Sequence, residues 1–373
     1  MKVPRFIPSI TRSDIRKVVN VLGSGRLTSG PVTEEFEKSF AAYIGVSYAV
    51  SVSSGSAALH LCIRAMDIGD GDEVLMPVLN FPGAPLPVKY CGARPVFVDV
   101  DERTLNIDSE KVKEAVGPRT KAILVMHYGG QPCDMKEIMQ IANDFALDVI
   151  EDCSHAVGAE YAGQKVGRIG IAGCFSFYPT KPMTTCEGGM VTTNDESLAK
   201  RVRILRQYGL VQKERSQPWV RDIMELGYSY RMSEVESALG LSQLRRLDRM
   251  NTARIRRAHI LTRLLKDVSG LATPHEAPYR THVYHLYAVQ VLETFGVHRD
   301  IVHEELSRRG VESGVHYIPL HMLTLYRNEL RARIGAYPSA ERIYDRVLTL
   351  PMYSSMKLKE IEYVAEQLKS IRS

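Results

Sequence analysis

The stretch that decides the fold covers residues 173–195 and reads GCFSFYPTKPMTTCEGGMVTTND. Its pattern predicts a short apolar strand over residues 174–178, a turn that contains Lys181, and a second strand over residues 190–193. Lys181 lies between a threonine and a proline, and no carboxylate occurs within five residues of it. A lysine in that setting is poorly placed for an ion pair. If it is held out of water, its pKa falls and the amine becomes a nucleophile that forms imines; the commoner alternative is an ordinary loop lysine.

Two carboxylates upstream favour the chemical interpretation of Lys181. Residues 147–150 predict a strand that ends at Glu151 and Asp152, and the carboxyl ends of parallel strands are where open α/β sheets bind ligands. A strand-end aspartate together with a strand-borne lysine suggests pyridoxal phosphate (PLP). The lysine would form the imine, and the carboxylate would keep the pyridine nitrogen protonated so that the ring can accept electrons.

Residues 151–195 carry a longer pattern that resembles the signature of the DegT/DnrJ/EryC1/StrS aminotransferases, EDCSHAVGAEYAGQKVGRIGIAGCFSFYPTKPMTTCEGGMVTTND. This family contains sugar aminotransferases with the aspartate aminotransferase fold, and the resemblance extends over almost the whole chain. It implies a PLP-dependent enzyme that transfers an amino group from an amino acid, expected to be L-glutamate, to a keto sugar, expected to be linked to a nucleotide. It also implies that Lys181, Asp152 and His155 are catalytic, although a lone histidine such as His155 is more often a buried structural residue.

The order of predicted elements indicates an α/β fold. Apolar strands alternate with helical segments, which predicts a mostly parallel sheet covered by helices on both faces. The resemblance implies PLP-dependent transferase fold type I, with a seven-stranded sheet. A chain of 373 residues is too long for one small core, so we expect a large PLP-binding domain over residues 1–248 and a smaller α+β domain over residues 249–373. Residues 1–15 could pack on the smaller domain.

A phosphate site is predicted at the turn that follows the strand over residues 49–52. Small residues at this turn, Gly55, Ser56 and Ala57, leave backbone N–H groups free at the positive end of a helix dipole. Such turns are common and do not all bind phosphate. The resemblance implies that this one holds the cofactor phosphate, with Ser56 in place of the usual threonine, and that Ser176 also contacts the phosphate.

Four further residues enter through the resemblance. Phe81 is expected to stack on the pyridine ring, and His155 to contact the ring hydroxyl. Ser229 stands where the family has an asparagine that reaches the cofactor phosphate of the other subunit, which implies a homodimer with a shared active site. Tyr317 and His321 belong to a segment that borders the sugar site. For Phe81 the plainer alternative is ordinary loop packing.

Other functions remain open from the residues alone. A sugar dehydratase related to this family would usually carry histidine in place of Lys181, and a cysteine desulfurase would carry histidine in place of Thr180. A regulator that keeps the fold without catalysis is a third alternative. Among aminotransferase substrates, a cyclitol ketone or an amino-shikimate-type compound could replace the nucleotide-linked sugar.

Bulk properties exclude several classes of protein. A net charge of +5 favours anionic ligands, but it falls short of what a nucleic-acid-binding protein shows, and we expect the arginine-rich segment over residues 233–263 to be a solvated linker helix. No window approaches the roughly 18 apolar residues of a membrane span, so we expect a cytoplasmic protein. The six cysteines lack CxxC spacing and are expected to be buried free thiols, without a metal site.

Overall fold

The computed structural model describes residues 1–213, 219–330 and 333–371. Its strands are β1 (Tyr48–Val52), β2 (Glu73–Pro77), β3 (Arg94–Val98), β4 (Thr120–Met126), β5 (Asp148–Asp152), β6 (Glu160–Tyr161), β7 (Gln164–Lys165), β8 (Ala172–Ser176), β9 (Gly189–Thr193), β10 (Leu210–Gln212), β11 (Arg221–Ile223), β12 (Leu271–Ala272), β13 (Arg280–Thr281), β14 (Tyr287–Val291) and β15 (Val347–Leu350).

The helices surround these strands. They are α1 (Arg12–Ser24), α2 (Pro31–Ile44), α3 (Gly55–Ala65), α4 (Leu86–Tyr90), α5 (Ser109–Ala115), α6 (Met135–Asp144), α7 (Glu196–Leu205), α8 (Glu234–Leu244), α9 (Leu247–Leu265), α10 (Arg299–Arg308), α11 (Thr324–Leu330), α12 (Pro338–Arg346) and α13 (Leu358–Lys369). Within the described ranges, none of them combines the length and the apolar character that a membrane crossing requires.

The centre of the molecule is a seven-stranded sheet with the strand order β1-β9-β8-β5-β4-β2-β3. The pairs β2–β3, β2–β4, β4–β5 and β5–β8 are parallel, whereas β9 runs antiparallel to both of its neighbours. Nearly every residue of β4 is buried, as expected for a parallel strand that is covered by helices on both faces. The predicted α/β fold with a mostly parallel seven-stranded sheet is therefore confirmed.

A second hydrophobic core lies in the C-terminal part of the chain. It is built largely from α9, α13 and the antiparallel sheet β12-β14-β15. Val3 also belongs to this core, because the N-terminal segment forms a parallel bridge with Val311. The division of the chain into domains at residues 248 and 249 stays a prediction.

One strand differs from its prediction. The alternation of apolar and polar residues over 283–291 predicts a half-buried strand, but β14 begins at Tyr287 and is buried along nearly its whole length. The residues before it bind the turn that follows β4. The Val283 N–H donates to the Gly130 carbonyl and the Leu286 N–H to the Gly129 carbonyl, each at 3.0 Å. These bonds bring residues 283–286 to the edge of the large sheet.

Two predictions about residue types also need correction. The arginine-rich segment forms α8 and α9, but Arg254 is buried rather than solvated, because its guanidinium donates to Asn251 Oδ1 at 2.8 Å inside the protein. The six cysteines are free thiols, but only four of them are buried: Cys91 is half-buried and Cys186 is exposed on the turn before β9.

An aromatic cluster fixes the strand that leads to Lys181. Phe175 and Phe177 are fully buried, and their ring centroids lie 5.0 and 5.5 Å from that of Phe40 on α2. Successive side chains of a strand point to opposite faces of the sheet, so burial of Phe175 against α2 directs Ser176 to the other face. The cluster therefore sets the orientation of the end of β8.

We expect Phe175→Ala to lower the free energy of unfolding by about 3–5 kcal/mol, because it leaves a cavity in this cluster. Urea denaturation followed by far-UV circular dichroism measures the loss. The matched control is Phe145→Ala, since the Phe145 side chain is 44% exposed. That control should cost about 1 kcal/mol or less. Equal losses in the two variants would contradict the role of the cluster.

Candidate active site

A cavity of about 520 Å³ opens where three parallel strands of the large sheet end. Its wall includes the last residues of β4, β5 and β8, which are Met126, Asp152 and Ser176. The carboxyl edge of a parallel sheet is the usual ligand-binding edge in α/β proteins, and the volume lies within the range of about 300–1,000 Å³ that small-molecule sites have.

Lys181 lies in this wall, on a turn that the chain holds by its own hydrogen bonds. The Lys181 N–H donates to the Tyr178 carbonyl at 2.9 Å, and the Thr185 N–H donates to the Phe177 carbonyl at 3.0 Å. Burial lowers the pKa of Lys181 to about 8, while the charge of Asp152 acts in the opposite direction. The amine therefore has the lowered pKa that the sequence predicted for a lysine held out of water.

Asp152 faces the same cavity from the end of β5. The Ser154 N–H donates to its Oδ1 at 3.0 Å, and within the described part of the chain this is the single donor to the carboxylate. Its Oδ2 is thus available to a ligand. Because Asp152 and Lys181 share one wall, a single ring with an aldehyde and a basic nitrogen could contact both.

Glu151 points to the opposite face of β5 and has a structural role. Its carboxylate accepts from the N–H groups of Gly167 at 2.9 Å, Ile169 at 2.8 Å and Gly170 at 2.8 Å, and it also contacts His127 Nε2 at 3.1 Å. His127, Glu151 and Cys153 bring their ligand atoms within 4.8 Å of one another, which could suggest a metal site. The hydrogen bonds already account for the carboxylate and the imidazole, so we assign this cluster to support of the strand that carries Asp152.

His155 lies in the cavity wall as a neutral imidazole. The Gly129 N–H donates to its Nδ1 at 3.3 Å, which places the ring proton on Nε2, 3.1 Å from the Tyr317 hydroxyl. Burial holds the pKa of His155 well below its usual value, and the charges of Lys181 and His316 act in the same direction. His155 can therefore donate a hydrogen bond into the cavity but does not carry a charge there.

Gly55, Ser56 and Ser176 form a second part of the wall, at the N-terminus of α3. A Cβ atom on Gly55 would lie 2.7 Å from the Ser176 Cβ, so only glycine lets the helix start approach β8 this closely. Ala57 is not in the wall, and its N–H donates to the Ser54 hydroxyl at 3.1 Å. The Ala57 N–H is thus used by the helix cap, which leaves Gly55 and Ser56 as the residues of this turn that face the cavity.

Phe81 and Tyr317 supply aromatic surface to the cavity. Their ring centroids lie 6.2 Å apart in an edge-to-face arrangement, and the Phe81 side chain is 54% exposed. An aromatic ring that is already buried could not cover a ligand, whereas this one has a free face.

Two predicted site residues lie away from the cavity. His321 is buried against Tyr337, and its Nε2 lies 3.0 Å from Glu341 Oε1 on α12, because the chain forms a tight turn over Leu320–Met322. His321 is therefore not part of the cavity wall, and its contact with the sugar stays a prediction. Ser229 forms an antiparallel bridge with Gln207 and is not part of the wall in its own chain.

The sequence analysis missed Arg5, Phe6 and His285, which all line the cavity. The His285 ring centroid lies 4.5 Å from that of His155, and burial and nearby charges hold its pKa well below the usual value. The run of histidines around residue 285 was a usable signal. Arg5 gave none, because it reaches the site through contacts with residues that are distant in sequence.

A lysine with a lowered pKa, a carboxylate with a free oxygen and a glycine-containing helix start surround one cavity at the carboxyl edge of a mostly parallel sheet. This arrangement fits PLP and defines the class: a PLP-dependent enzyme of fold type I.

Comparisons with known proteins give the family. The chain belongs to the DegT/DnrJ/EryC1/StrS aminotransferase family, whose sequence pattern matches residues 8–369. It is a PLP-dependent aminotransferase of the sugar-aminotransferase type. The prediction of family, enzyme class and cofactor is therefore confirmed.

Three similar proteins illustrate the relationship. The chain is 39% identical to the spore coat polysaccharide biosynthesis protein SpsC of Bacillus subtilis, over 99% of this chain and 97% of that protein. It is 42% identical to GDP-perosamine synthase of Caulobacter vibrioides, over 78% of each chain. The solved structure of Spr1654 from Streptococcus pneumoniae, in its PLP form, superimposes with a TM-score of 0.93 at 29% identity, over 100% of this chain and 99% of that one.

We expect Asp152→Asn to move the pKa of Lys181 to below about 8 in the cofactor-free protein, since the Asp152 charge raises it. Only the neutral amine reacts with cyanate, so the pH midpoint of Lys181 carbamylation, followed by mass spectrometry, reports this pKa. The midpoint should shift to lower pH in the variant. Exposed Lys200, paired with Glu196, serves as the internal control and should not change. An unchanged Lys181 midpoint would show that the two groups do not interact.

Gly55→Ala should weaken PLP binding by about tenfold or more, because the added methyl group collides with Ser176 and narrows the helix start. Absorbance titration with PLP measures the dissociation constant. Gly23→Ala provides the control, since a Cβ there meets nothing within 4 Å. Equal PLP affinity in the two variants would contradict the assignment of Gly55 to the phosphate site.

Proposed function

We propose that the protein transfers an amino group from L-glutamate to the keto group of a nucleotide-linked sugar. The observation that carries this proposal is the presence of Lys181 and Asp152 in the wall of one cavity at the carboxyl edge of the sheet. The similarity to GDP-perosamine synthase, at 42% identity, supports a nucleotide-linked acceptor.

Bound PLP supplies an aldehyde and an electron-accepting ring, and the residues of the chain position it and move protons around it. Lys181 Nζ would hold the aldehyde. When free, Nζ would take up a proton and return it, because an amine with a pKa of about 8 is uncharged in about one molecule in ten at pH 7. A tethered base does this repeatedly without losing its orientation.

Three other groups have fixed tasks in this proposal. Asp152 Oδ2 would hold a proton on the ring nitrogen, in a charge-assisted hydrogen bond worth about 1.5–3 kcal/mol. The neutral His155 imidazole has its Nε2–H facing the Tyr317 hydroxyl, and it would share this donor with the ring hydroxyl oxygen. The helix start at Gly55 and Ser56, with Ser176, would bind the phosphate, and Phe81 would cover one face of the ring.

Two alternative functions are disfavoured because the chain has the wrong residue at one position of the site. A dehydratase would need histidine in place of Lys181, and a desulfurase would need histidine in place of Thr180. A cyclitol ketone or an amino-shikimate-type acceptor uses the same lysine and carboxylate, so it remains the second candidate within aminotransferase chemistry.

We also propose a homodimer in which each subunit contributes to the other's site. Ser229 lies outside the cavity of its own chain and is close in sequence to four exposed apolar residues, Trp219, Ile223, Met224 and Leu226. Exposed apolar patches of this kind are typical of protein interfaces. A symmetric contact there would let Ser229 approach the partner's cofactor phosphate.

The proposed reaction is tested in two half-reactions. Protein loaded with PLP should show the imine absorption band, and L-glutamate should convert it to the aminated cofactor with loss of that band. Nucleotide-linked keto sugars added one at a time should restore the band for the correct acceptor. Restoration by cyclitol ketones alone would overturn the sugar acceptor, and no conversion by glutamate would overturn the donor.

Lys181→Ala should abolish attachment of PLP after borohydride reduction and lower transamination by at least about 100-fold, since both the imine nitrogen and the base are lost. Peptide mapping by mass spectrometry locates the attached cofactor. Lys200→Ala removes an exposed lysine that does not line the cavity, so it should leave both properties unchanged. Attachment of PLP to Lys181→Ala at the wild-type level would contradict the assignment of Lys181 as the lysine that binds PLP.

A further inference from the structure

The N-terminal segment forms one side of the cavity and is fixed there by backbone hydrogen bonds. The Glu312 N–H donates to the Val3 carbonyl at 3.0 Å. The Arg5 N–H donates to Glu312 Oε2 at 3.1 Å, and the Met352 N–H donates to the Arg5 carbonyl at 3.2 Å. The N–H and the carbonyl of Arg5 are therefore both hydrogen-bonded, so the backbone that carries the side chain is held in place.

The Arg5 side chain runs along Gly314 to the cavity wall. A Cβ atom on Gly314 would lie only 2.5 Å from Arg5 Nη1, so glycine leaves the space that the guanidinium fills. The guanidinium also lies near His316, since its charge acts together with burial to lower the pKa of that imidazole to about 4. His316 and Tyr317 are neighbouring wall residues, and Tyr317 contacts His155. Arg5 thus faces the same part of the cavity wall as His316 and Tyr317.

Within the described part of the chain, the Arg5 guanidinium has no hydrogen-bond or ion-pair partner, unlike the guanidinium of Arg254. Arg254 is satisfied by Asn251 and by the Pro182 carbonyl, and it does not line the cavity. Among the residues that the structure describes, neither Asp152 nor Glu187, the two carboxylates of the wall, forms an ion pair with Arg5. A partly buried guanidinium without a counter-charge costs desolvation energy, which a ligand carboxylate would offset with two parallel hydrogen bonds.

We propose that Arg5 binds a carboxylate of the amino-acid donor and thereby selects that donor; the inference rests on the aminotransferase function proposed above. The donor carries a carboxylate on the carbon that reacts, so this group must lie close to Lys181. In a nucleotide-linked sugar the phosphates are separated from the keto carbon by the sugar ring. A guanidinium beside His316 and Tyr317 is therefore placed for the donor rather than for the acceptor phosphates, because the charge of Lys181 acts on the same imidazole.

The test compares donor and acceptor in Arg5→Met, which keeps the length of the side chain and removes its charge. The probe for binding is 2-methylglutamate, which has no α-hydrogen to lose and changes the cofactor spectrum without completing the reaction. Its dissociation constant should rise by about 10- to 100-fold, as expected for loss of charge-assisted hydrogen bonds. The rate at which the aminated enzyme reacts with the keto sugar should not change.

Three further variants separate charge, position and general damage. Arg5→Lys keeps the charge but not the planar fork, so its dissociation constant should fall between those of wild type and Arg5→Met. Gly314→Ala keeps the charge and displaces the guanidinium, and it should also weaken 2-methylglutamate binding. Lys2→Met, in the same segment but exposed, should leave binding at the wild-type level.

Wild-type affinity for 2-methylglutamate in Arg5→Met would overturn the inference, as would a loss that is equal or larger in the acceptor half-reaction. These results leave the proposed function intact as long as wild type is aminated by L-glutamate. If wild type is not aminated by L-glutamate, the proposed donor itself is wrong, and the assignment of Arg5 falls with it.

Discussion

The whole site depends on one electrostatic balance between a buried amine and a carboxylate at the end of a parallel strand. Burial favours the neutral form of Lys181, and Asp152 favours the charged form, with a pKa of about 8 as the result. An amine with this pKa can both attack an aldehyde and carry a proton at neutral pH. Neither group alone would achieve this: without burial the lysine stays protonated, and without the carboxylate the ring nitrogen loses its partner.

The fold maintains this balance through contacts that do not touch a ligand. Successive residues of β5 point to opposite faces, so Glu151 can bind three backbone N–H groups below the sheet while Asp152 faces the cavity. On the next strand, Phe175 is buried against α2 and Ser176 faces the cavity in the same way. Each reactive side chain therefore has a structural neighbour that fixes the strand behind it. Gly55 completes the arrangement by letting α3 approach β8.

The sequence predicted the sheet and much of the site, because both depend on local pattern. Apolar runs between helices indicate buried parallel strands, and polar residues at their ends collect at one edge, which is how Lys181 and Asp152 could be grouped from the sequence, whereas Ser176 was predicted from the family resemblance. His321 lies outside the cavity wall, where it contacts Glu341 from a tight turn after Pro319, and sequence spacing does not show the direction of a turn. Arg5 was missed for another reason: its partners lie more than 300 residues away in the chain, and no local pattern records such a contact.

The most direct measurement of the central claim is a crystal structure of the protein with PLP. The account predicts continuous density from Lys181 Nζ to the cofactor aldehyde carbon, and an Asp152 carboxylate oxygen at about 2.7–2.9 Å from the ring nitrogen. A cofactor bound with Lys181 free, or with the ring nitrogen facing a group other than Asp152, would contradict it.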